Sequence, residues 1–207
     1  MQSEETFNSD SYFEGKQLTT NWGLRHHQLW AEILAPRRAE PLRILEIGSW
    51  EGRSALFFLN YLPHSSIVCM DTFAGSIEHR AWPLAQREAQ LSGIEKRFDH
   101  NLAPFANRVQ KCKEDSLVAL GKLGIEGQRF DLVYVDGSHL ALDVYRDAVL
   151  AWPLVAGGGI VIFDDYERKQ GSERDWPQVG IDAFLETAKQ DYEELSRGRQ
   201  IVIRKYR

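Results

Sequence analysis

Short runs of apolar, often β-branched residues alternate with longer helical patterns along most of the chain. Runs of about four to eight such residues between turn signals are typical of buried strands. Strand–helix–strand units join strands that run in the same direction, so the pattern predicts an α/β fold with a doubly wound, mostly parallel sheet. The predicted strands are 42–47, 66–70, 109–113, 130–135 and 159–163. The predicted helices are 22–35, 53–62, one around 83–93, 117–123 and 141–152.

The end of the chain breaks this alternation. A helical pattern at 180–190 precedes two short strands, 192–196 and 200–205. The turn at 197–199 is short enough for a hairpin, so one of the two strands must run antiparallel to its partner. The sequence therefore predicts a Rossmann-like sheet with an antiparallel strand near its edge.

The length of 207 residues suits one domain spanning 1–207 and leaves little room for a second. We expect residues 1–20 to form a flexible or loosely packed segment. The polar stretch 166–179 follows the fifth predicted strand. It is a candidate lid over a substrate, and a surface insertion fits it equally well.

Composition excludes several function classes. The formal net charge of −5 argues against a protein that holds nucleic acid through phosphate contacts. No run approaches the roughly 18 apolar residues that would suggest a membrane span, and the acidic, polar beginning is unlike a signal peptide. Cys69 and Cys112 are best interpreted as buried, reduced thiols. We expect a cytoplasmic protein with no nucleic-acid or membrane partner.

The first predicted strand ends in a glycine turn. Gly48 lets the backbone turn sharply and approach a ligand, and Gly52 relieves crowding where the next helix begins. That helix offers free N–H groups to an anionic group. The spacing is G-x-x-x-G, which differs from the G-x-G-x-x-G of pyrophosphate-binding turns. Glu46 adds a carboxylate that suits an ammonium or sulfonium group.

Acidic residues also follow the second and third strands. Asp71 lies about 20 residues beyond the glycine turn, a position from which a carboxylate accepts hydrogen bonds from ribose hydroxyls. Asp115 and Ser116 follow the third strand, beside the expected position of an adenine. Each acid alone also fits a helix cap. Acids at successive strand ends point more strongly to a ligand.

Together, 46–54, Asp71, Asp115 and Ser116 resemble the cofactor motifs of the class I S-adenosylmethionine-dependent methyltransferases. The stretches 134–139 and 157–166 are similar to the branch containing small-molecule O-methyltransferases that act on sugars, macrolides and other natural products. The resemblance covers roughly residues 20 to 205, and it implies a seven-stranded sheet whose last strand inserts antiparallel.

The resemblance also implies where the cofactor lies. Glu46 and Gly48 would face its methionine end, Asp71 its ribose, and Asp115 with Ser116 its adenine. The residues expected to bind S-adenosylmethionine are Glu46, Gly48, Ser49, Gly52, Ser54, Asp71, Thr72, Asp115, Ser116 and Asp136.

Three aspartates follow neighbouring strands of such a sheet. Asp136 ends the fourth strand, and Asp164 and Asp165 end the fifth. Carboxylates that converge repel one another, and a divalent cation relieves the conflict. Oxygen ligands favour a hard ion, magnesium first, with manganese or calcium as alternatives. The ion could hold an acceptor hydroxyl and lower its pKa. The alternative is that these aspartates cap loops or helices.

The cluster is similar to that of metal-dependent O-methyltransferases, with two departures. The catechol-type enzymes usually have Asn where this chain has Asp165, and a catalytic Lys where it has His139. A histidine with its unperturbed pKa of about 6.5 is a suitable base near neutral pH. We expect His139 and Asp136 to be catalytic, although His139 also fits a structural role at a helix start. The presence of His139 in place of this lysine puts a catechol in doubt as the methyl acceptor.

The expected function is transfer of a methyl group from S-adenosylmethionine to a hydroxyl of a small molecule, assisted by a metal ion. One alternative is an NAD-dependent oxidoreductase on a similar sheet, which the glycine spacing and the terminal hairpin disfavour. A non-catalytic cofactor-binding protein and an N-methyltransferase are further alternatives. The sequence leaves open whether the leading helix forms the contact of a homodimer.

Overall fold

The computed structural model describes residues 7–76, 79, 82–169 and 171–207. Seven strands form one sheet in the order β3-β2-β1-β4-β5-β7-β6. Strands β1 to β5 pair in parallel, and β7 is antiparallel to both β5 and β6. The predicted fold is confirmed, including the inserted antiparallel last strand. The strands are β1 Arg43–Ile47, β2 Ser66–Met70, β3 Val109–Cys112, β4 Phe130–Val135, β5 Val155–Phe163, β6 Tyr192–Arg197 and β7 Ile201–Lys205.

Helices cover both faces of the sheet. They are α1 His27–Leu34, α2 Arg53–Tyr61, α3 Leu84–Leu91, α4 Ile94–Leu102, α5 Ser116–Ile125, α6 Ala141–Ala151 and α7 Pro177–Ala188. Alternate residues of β1 enter opposite layers: Leu45 packs with α5, α6 and α7, whereas Ile44 packs with α1, α2 and α4. No helix among the described residues has the length and apolar character needed to cross a membrane.

The structure differs from the sequence prediction at two helices: one begins later than predicted, and one was not predicted. The leading helix does not begin at residue 22, because Gly23 adopts a left-handed φ of 84° and a short 3₁₀ turn, Leu24–His26, comes before α1. Helix α4 was missed, since its exposed face is densely charged and its mean hydropathy is low. Its buried residues Ile94, Phe98 and Leu102 are spaced by four, a signal that could have revealed it.

The N-terminal segment packs more closely than the loose arrangement expected for 1–20. The ring of Phe7 lies 5.8 Å from that of Phe57, in an edge-to-face contact. The Gln17 N–H donates to Asn101 Oδ1 at 2.7 Å, and Asn101 is fully buried. From residue 7 onward the segment therefore contributes to the α1–α2–α4 layer, and its first six residues lie outside the described part of the chain.

The polar stretch 166–179 is partly helical. Its last residues belong to α7, and a capping box between Ser172 and Asp175 supports a short 3₁₀ turn before it. Glu167 and Arg168, at its beginning, line the large cavity described below. Its role as a lid stays a prediction.

Candidate active site

A cavity of about 710 Å³ opens where the carboxyl ends of the parallel strands meet. Backbone pairing continues past the strands: the Asp136 N–H donates to the Ile47 carbonyl at 2.8 Å, and the Asp164 N–H to the Val135 carbonyl at 3.0 Å. Residues that follow neighbouring strands therefore lie side by side. Most predicted site residues line the cavity. They are Gly48, Asp71, Thr72, Asp115, Ser116, Asp136, His139, Asp164 and Asp165.

The other four predicted cofactor residues lie behind this surface. Ser49 and Ser54 line a small adjoining cavity of about 40 Å³. Glu46 is fully buried, and the Ser54 hydroxyl donates to its Oε1. Gly52 precedes α2 at a φ of 81°, and a Cβ there would lie 3.1 Å from the Leu102 side chain. The structure thus assigns Gly52 to helix packing, the role expected from its position before the helix, and its expected contact with the cofactor stays a prediction.

The Gly48 backbone lies very close to the backbone of Asp136, at the end of β4. It adopts a φ of 87°, and a Cβ at this position would lie 2.0 Å from the Asp136 carbonyl oxygen. Any side chain would therefore collide with the backbone of the adjacent strand end. The sequence predicted a glycine for ligand approach, and the structure adds this contact between two strand ends as an independent reason.

Four buried polar atoms around the glycine turn have no hydrogen-bond partner in the described part of the chain: Trp50 Nε1, Glu46 Oε2, Ser49 Oγ and Arg53 Nε. Burial raises the pKa of Glu46. Unsatisfied buried groups are costly, so such a set is expected where a ligand supplies the missing bonds. A carboxylate and a guanidinium suit the ammonium and the carboxylate of an amino acid. The residues present therefore fit the methionine end of S-adenosylmethionine.

Asp71 holds the glycine turn in shape. Its Oδ2 accepts from the Trp50 N–H at 2.7 Å, and its Oδ1 accepts from the Phe73 N–H at 2.6 Å. Trp50 and Phe73 both have left-handed backbones, with φ of 48° and 55°, which is unusual for residues with side chains. Burial raises the pKa of Asp71. Each oxygen keeps a lone pair, so the carboxylate can still accept bonds from a ribose.

The predicted adenine end contains an acid that sequence reasoning missed. Asp115 caps α5 by accepting from the Leu117 N–H at 2.9 Å, and the Ser116 hydroxyl donates to Asp147 Oδ1 at 2.7 Å. Asp147 lines the cavity from α6 and is only 2% exposed. Burial raises its pKa to about 6. No motif pointed to it, because it lies in the middle of a helix whose orientation is fixed by packing.

The aspartates at the ends of β4 and β5 do converge. The Tyr134 hydroxyl lies between them, within hydrogen-bond distance of Asp164 Oδ2 and 3.1 Å from Asp136 Oδ2. Burial raises the pKa of Asp136, and the charges of Asp164 and Asp165 raise it further. Burial and both carboxylates also keep the pKa of Tyr134 well above its usual value, so its phenol is a donor.

Asp165 has a different environment from its neighbours. Its Oδ2 lies 2.7 Å from His139 Nε2 and 3.1 Å from an Arg168 nitrogen. Burial alone would raise the pKa of Asp165, but His139 and Arg168 outweigh it and lower this pKa to about 2. Asp165 also has a left-handed φ of 55°, a conformation in which Asp is more common than most residues.

The set of side chains that could hold a metal ion differs from the predicted one. Asp136, His139 and Asp165 can each place a ligand atom within 4.8 Å of the other two. Asp164 lies outside this group, and both of its oxygens accept hydrogen bonds: Oδ2 from Tyr134 and Oδ1 from the Asp165 N–H at 2.6 Å. Two carboxylates with one imidazole fit a divalent cation, although less selectively for magnesium than three carboxylates would.

Comparison with known proteins agrees with this geometry. A family model described as "Methyltransferase domain" matches residues 45–166, more than half of the chain. The chain belongs to this methyltransferase family. The match spans the glycine turn and all the acidic strand ends. A search among curated proteins finds no match.

Solved structures share the fold of this methyltransferase. The O-methyltransferase NovP is 18% identical with a TM-score of 0.65, over 89% of this chain and 79% of NovP. TomG from Streptomyces achromogenes, an O-methyltransferase of tomaymycin synthesis solved with S-adenosylmethionine, is 19% identical with a TM-score of 0.63, over 88% of this chain and 80% of TomG. MycE of the mycinamycin pathway, solved with Mg, S-adenosylhomocysteine and mycinamycin VI, is 19% identical with a TM-score of 0.63, over 95% of this chain and 53% of MycE.

Proposed function

We propose that this methyltransferase transfers the methyl group of S-adenosylmethionine to a hydroxyl oxygen of a small molecule, with a divalent cation at the carboxylate cluster. The observation that carries the proposal is that two kinds of site adjoin each other at the carboxyl ends of the strands, in the large cavity and immediately behind its wall. Unsatisfied buried polar atoms surround the glycine turn, and acids with an imidazole lie at the ends of β4 and β5.

The cofactor would supply an activated sulfonium methyl group, so the protein mainly needs to align the reacting atoms. Glu46 would bind the ammonium group and Arg53 the carboxylate of its amino-acid end. Asp71 would accept from the ribose while it keeps the Trp50 turn in place. Asp115 and Ser116 border the adenine end, where Asp147 orients the Ser116 hydroxyl.

His139 would remove the proton of the acceptor hydroxyl. In the neutral tautomer that donates its Nε2–H to Asp165 Oδ2, the lone pair is on Nδ1, which takes the proton. The imidazole then carries a positive charge, and the Asp165 carboxylate at 2.7 Å stabilises that charge. Asp165 would thus orient the base and stabilise its protonated form.

The expected cation, with magnesium as first candidate, would lower the pKa of an acceptor hydroxyl. Asp136 and Asp165 would be its main ligands. Asp164 would become a ligand only if the Tyr134 hydroxyl stopped donating to its Oδ2. His139 is close enough to be a ligand itself, which competes with its role as the base. Metal affinity of a His139 variant separates the two roles.

The test is a screen of hydroxylated metabolites with S-adenosylmethionine carrying a ¹³C-labelled methyl group, with and without EDTA. We expect an O-linked labelled methyl in the product and a large loss with EDTA. A label on nitrogen would favour the N-methyltransferase alternative. A protein that binds the cofactor but transfers no methyl group to any acceptor would support the non-catalytic alternative. A homodimer and a cytoplasmic location stay predictions.

A further inference from the structure

Two arginines that line the cavity have no side-chain partner among the residues that the structure describes. Arg25 lies in the 3₁₀ turn before α1, and Arg199 lies in the turn between β6 and β7. Neither side chain forms a hydrogen bond or an ion pair with any residue that the structure describes. By contrast, Arg168 in the same cavity pairs with Asp165, and Arg197 beside the turn pairs with Glu194.

Both arginines lie near the carboxylate cluster. His26 is buried, with its Nε2 3.8 Å from Asp164 Oδ1. Burial lowers the pKa of His26, Asp164 opposes this effect, and the positive charges of Arg25 and Arg199 lower the pKa further. Two chain segments distant in sequence therefore bring their positive charges to the same imidazole, at the side of the cavity expected to hold the acceptor.

An aromatic surface begins three residues before Arg25. The ring of Trp22 lies 5.5 Å from that of Trp50 and 6.2 Å from that of Trp82, and all three line the cavity. Such a surface suits a flat or ring-shaped molecule. The acceptor region thus combines an aromatic wall, a carboxylate cluster and the guanidinium groups of Arg25 and Arg199.

We propose that the methyl acceptor carries an anionic group, a carboxylate or a phosphate, which Arg25 and Arg199 bind. This inference rests on the proposed function. Guanidinium groups recognise such oxyanions through paired N–H donors. The acids of the cluster would repel an anionic acceptor, and the two arginines offset that repulsion while its hydroxyl approaches His139. The ring would lie against Trp22.

The test is calorimetric binding to protein saturated with S-adenosylhomocysteine and Mg²⁺. The probes are protocatechuate with its neutral amide, glucuronate with its neutral amide, and the phosphonate analogue of protocatechuate. We expect an acid to bind about 10- to 100-fold more tightly than its matched amide, the usual range for a charged hydrogen-bonded contact. The ranking of carboxylate and phosphonate distinguishes the two kinds of anion.

The variants are Arg25→Gln, Arg199→Gln and their combination. The control is Arg129→Gln, which removes an exposed arginine just before β4. This position is at the amino ends of the parallel strands, whereas the cavity is at their carboxyl ends. The double variant should lose most of the preference for the acid and keep the amide affinity, the S-adenosylhomocysteine affinity and the unfolding temperature of the control.

The outcomes separate the two proposals. Failure of the unmodified protein to bind S-adenosylhomocysteine contradicts the proposed function. Normal cofactor binding with equal affinity for acid and amide, or with no binding of any acid, overturns the inference about the acceptor alone. A double variant that loses cofactor affinity in place of acid affinity also overturns it, because the arginines would then serve the cofactor carboxylate.

Discussion

The two halves of the candidate active site differ in how the protein pairs its buried polar and charged groups. The cofactor half, formed by Glu46, Ser49, Trp50, Arg53 and Asp71, leaves four buried polar atoms without partners among the described residues. In the acceptor half, at the ends of β4 and β5, each aspartate has a partner within the protein. Tyr134 lies against Asp136 and Asp164, and His139 pairs with Asp165.

This contrast has an energetic meaning. An unsatisfied buried group costs about 1–3 kcal/mol in the free protein, and a ligand that satisfies it recovers that free energy. The cofactor half is therefore prepared for one particular ligand. In the acceptor half, a cation or an acceptor must compete with existing pairs, so its binding should be weaker and more dependent on metal and pH. The predictions below separate the halves, from the largest effect to the smallest.

Removing the metal should affect only the acceptor half. Cation assistance is worth several kcal/mol, so EDTA should lower the methylation rate by about 10³-fold or more. Added Mg²⁺ should restore the rate of the wild type but not of Asp136→Ala, which also should fail to bind Mn²⁺ in calorimetry. The affinity of the wild type for S-adenosylhomocysteine should be nearly the same with EDTA. Full activity of metal-free enzyme would exclude the metal.

Replacing the base should have the next largest effect. His139→Ala should lower the maximal rate by about 10²–10⁴-fold, the usual contribution of a general base. The loss should shrink as pH rises, because hydroxide can then take the proton. Mn²⁺ affinity should change little. A variant that keeps the wild-type rate across neutral pH would make His139 structural, and one that loses Mn²⁺ would make it a metal ligand.

In the cofactor half, Glu46→Gln should weaken S-adenosylmethionine binding by about 1.5–3 kcal/mol, since a charged hydrogen bond is lost. Burial raises the pKa of Glu46, so protonation at acid pH should weaken cofactor binding to the wild type, and binding should recover as pH rises through that pKa. The variant should lack this pH dependence. Glu126→Gln, at an exposed site after α5, is the control. Equal affinities at all pH values would contradict the role of Glu46.

The smallest effect concerns stability. The pKa of Asp147 is 3.8 in the unfolded reference and about 6 in the folded protein, so the unfolded state releases this proton first as pH rises. The free energy of unfolding should therefore fall between about pH 4 and 6. Asp147→Asn, which can still accept from Ser116, should be more stable than the wild type at pH 7 by about 1–3 kcal/mol and not at pH 4. Urea unfolding at both pH values measures this, and equal stabilities at pH 7 would refute it.

The sequence revealed the parts of the site that lie at strand ends. Apolar, β-branched runs mark the strands, and parallel strands bring their carboxyl ends to one edge. The positions of Gly48, Asp71 and Asp136 at the cavity therefore follow from the pattern alone. Helix α4 was not predicted because only three apolar residues in its charged stretch face the core.

Other contributions depend on packing that a linear pattern does not encode. Asp147 reaches the cavity because α6 packs with one particular rotation, and Arg199 reaches it because the terminal hairpin folds back beside β5. The sequence also could not distinguish the two adjacent aspartates. The left-handed backbone of Asp165 places its carboxylate beside His139, whereas Asp164 accepts from Tyr134.

Calorimetric titration of the unmodified protein with S-adenosylhomocysteine, and separately with NAD⁺, tests the central claim most directly. The unsatisfied atoms around the glycine turn and the acids beyond it predict saturable binding of one S-adenosylhomocysteine per chain, and no binding of NAD⁺, whose pyrophosphate the G-x-x-x-G turn does not suit. Absence of S-adenosylhomocysteine binding, or tight binding of NAD⁺ in its place, would contradict the account.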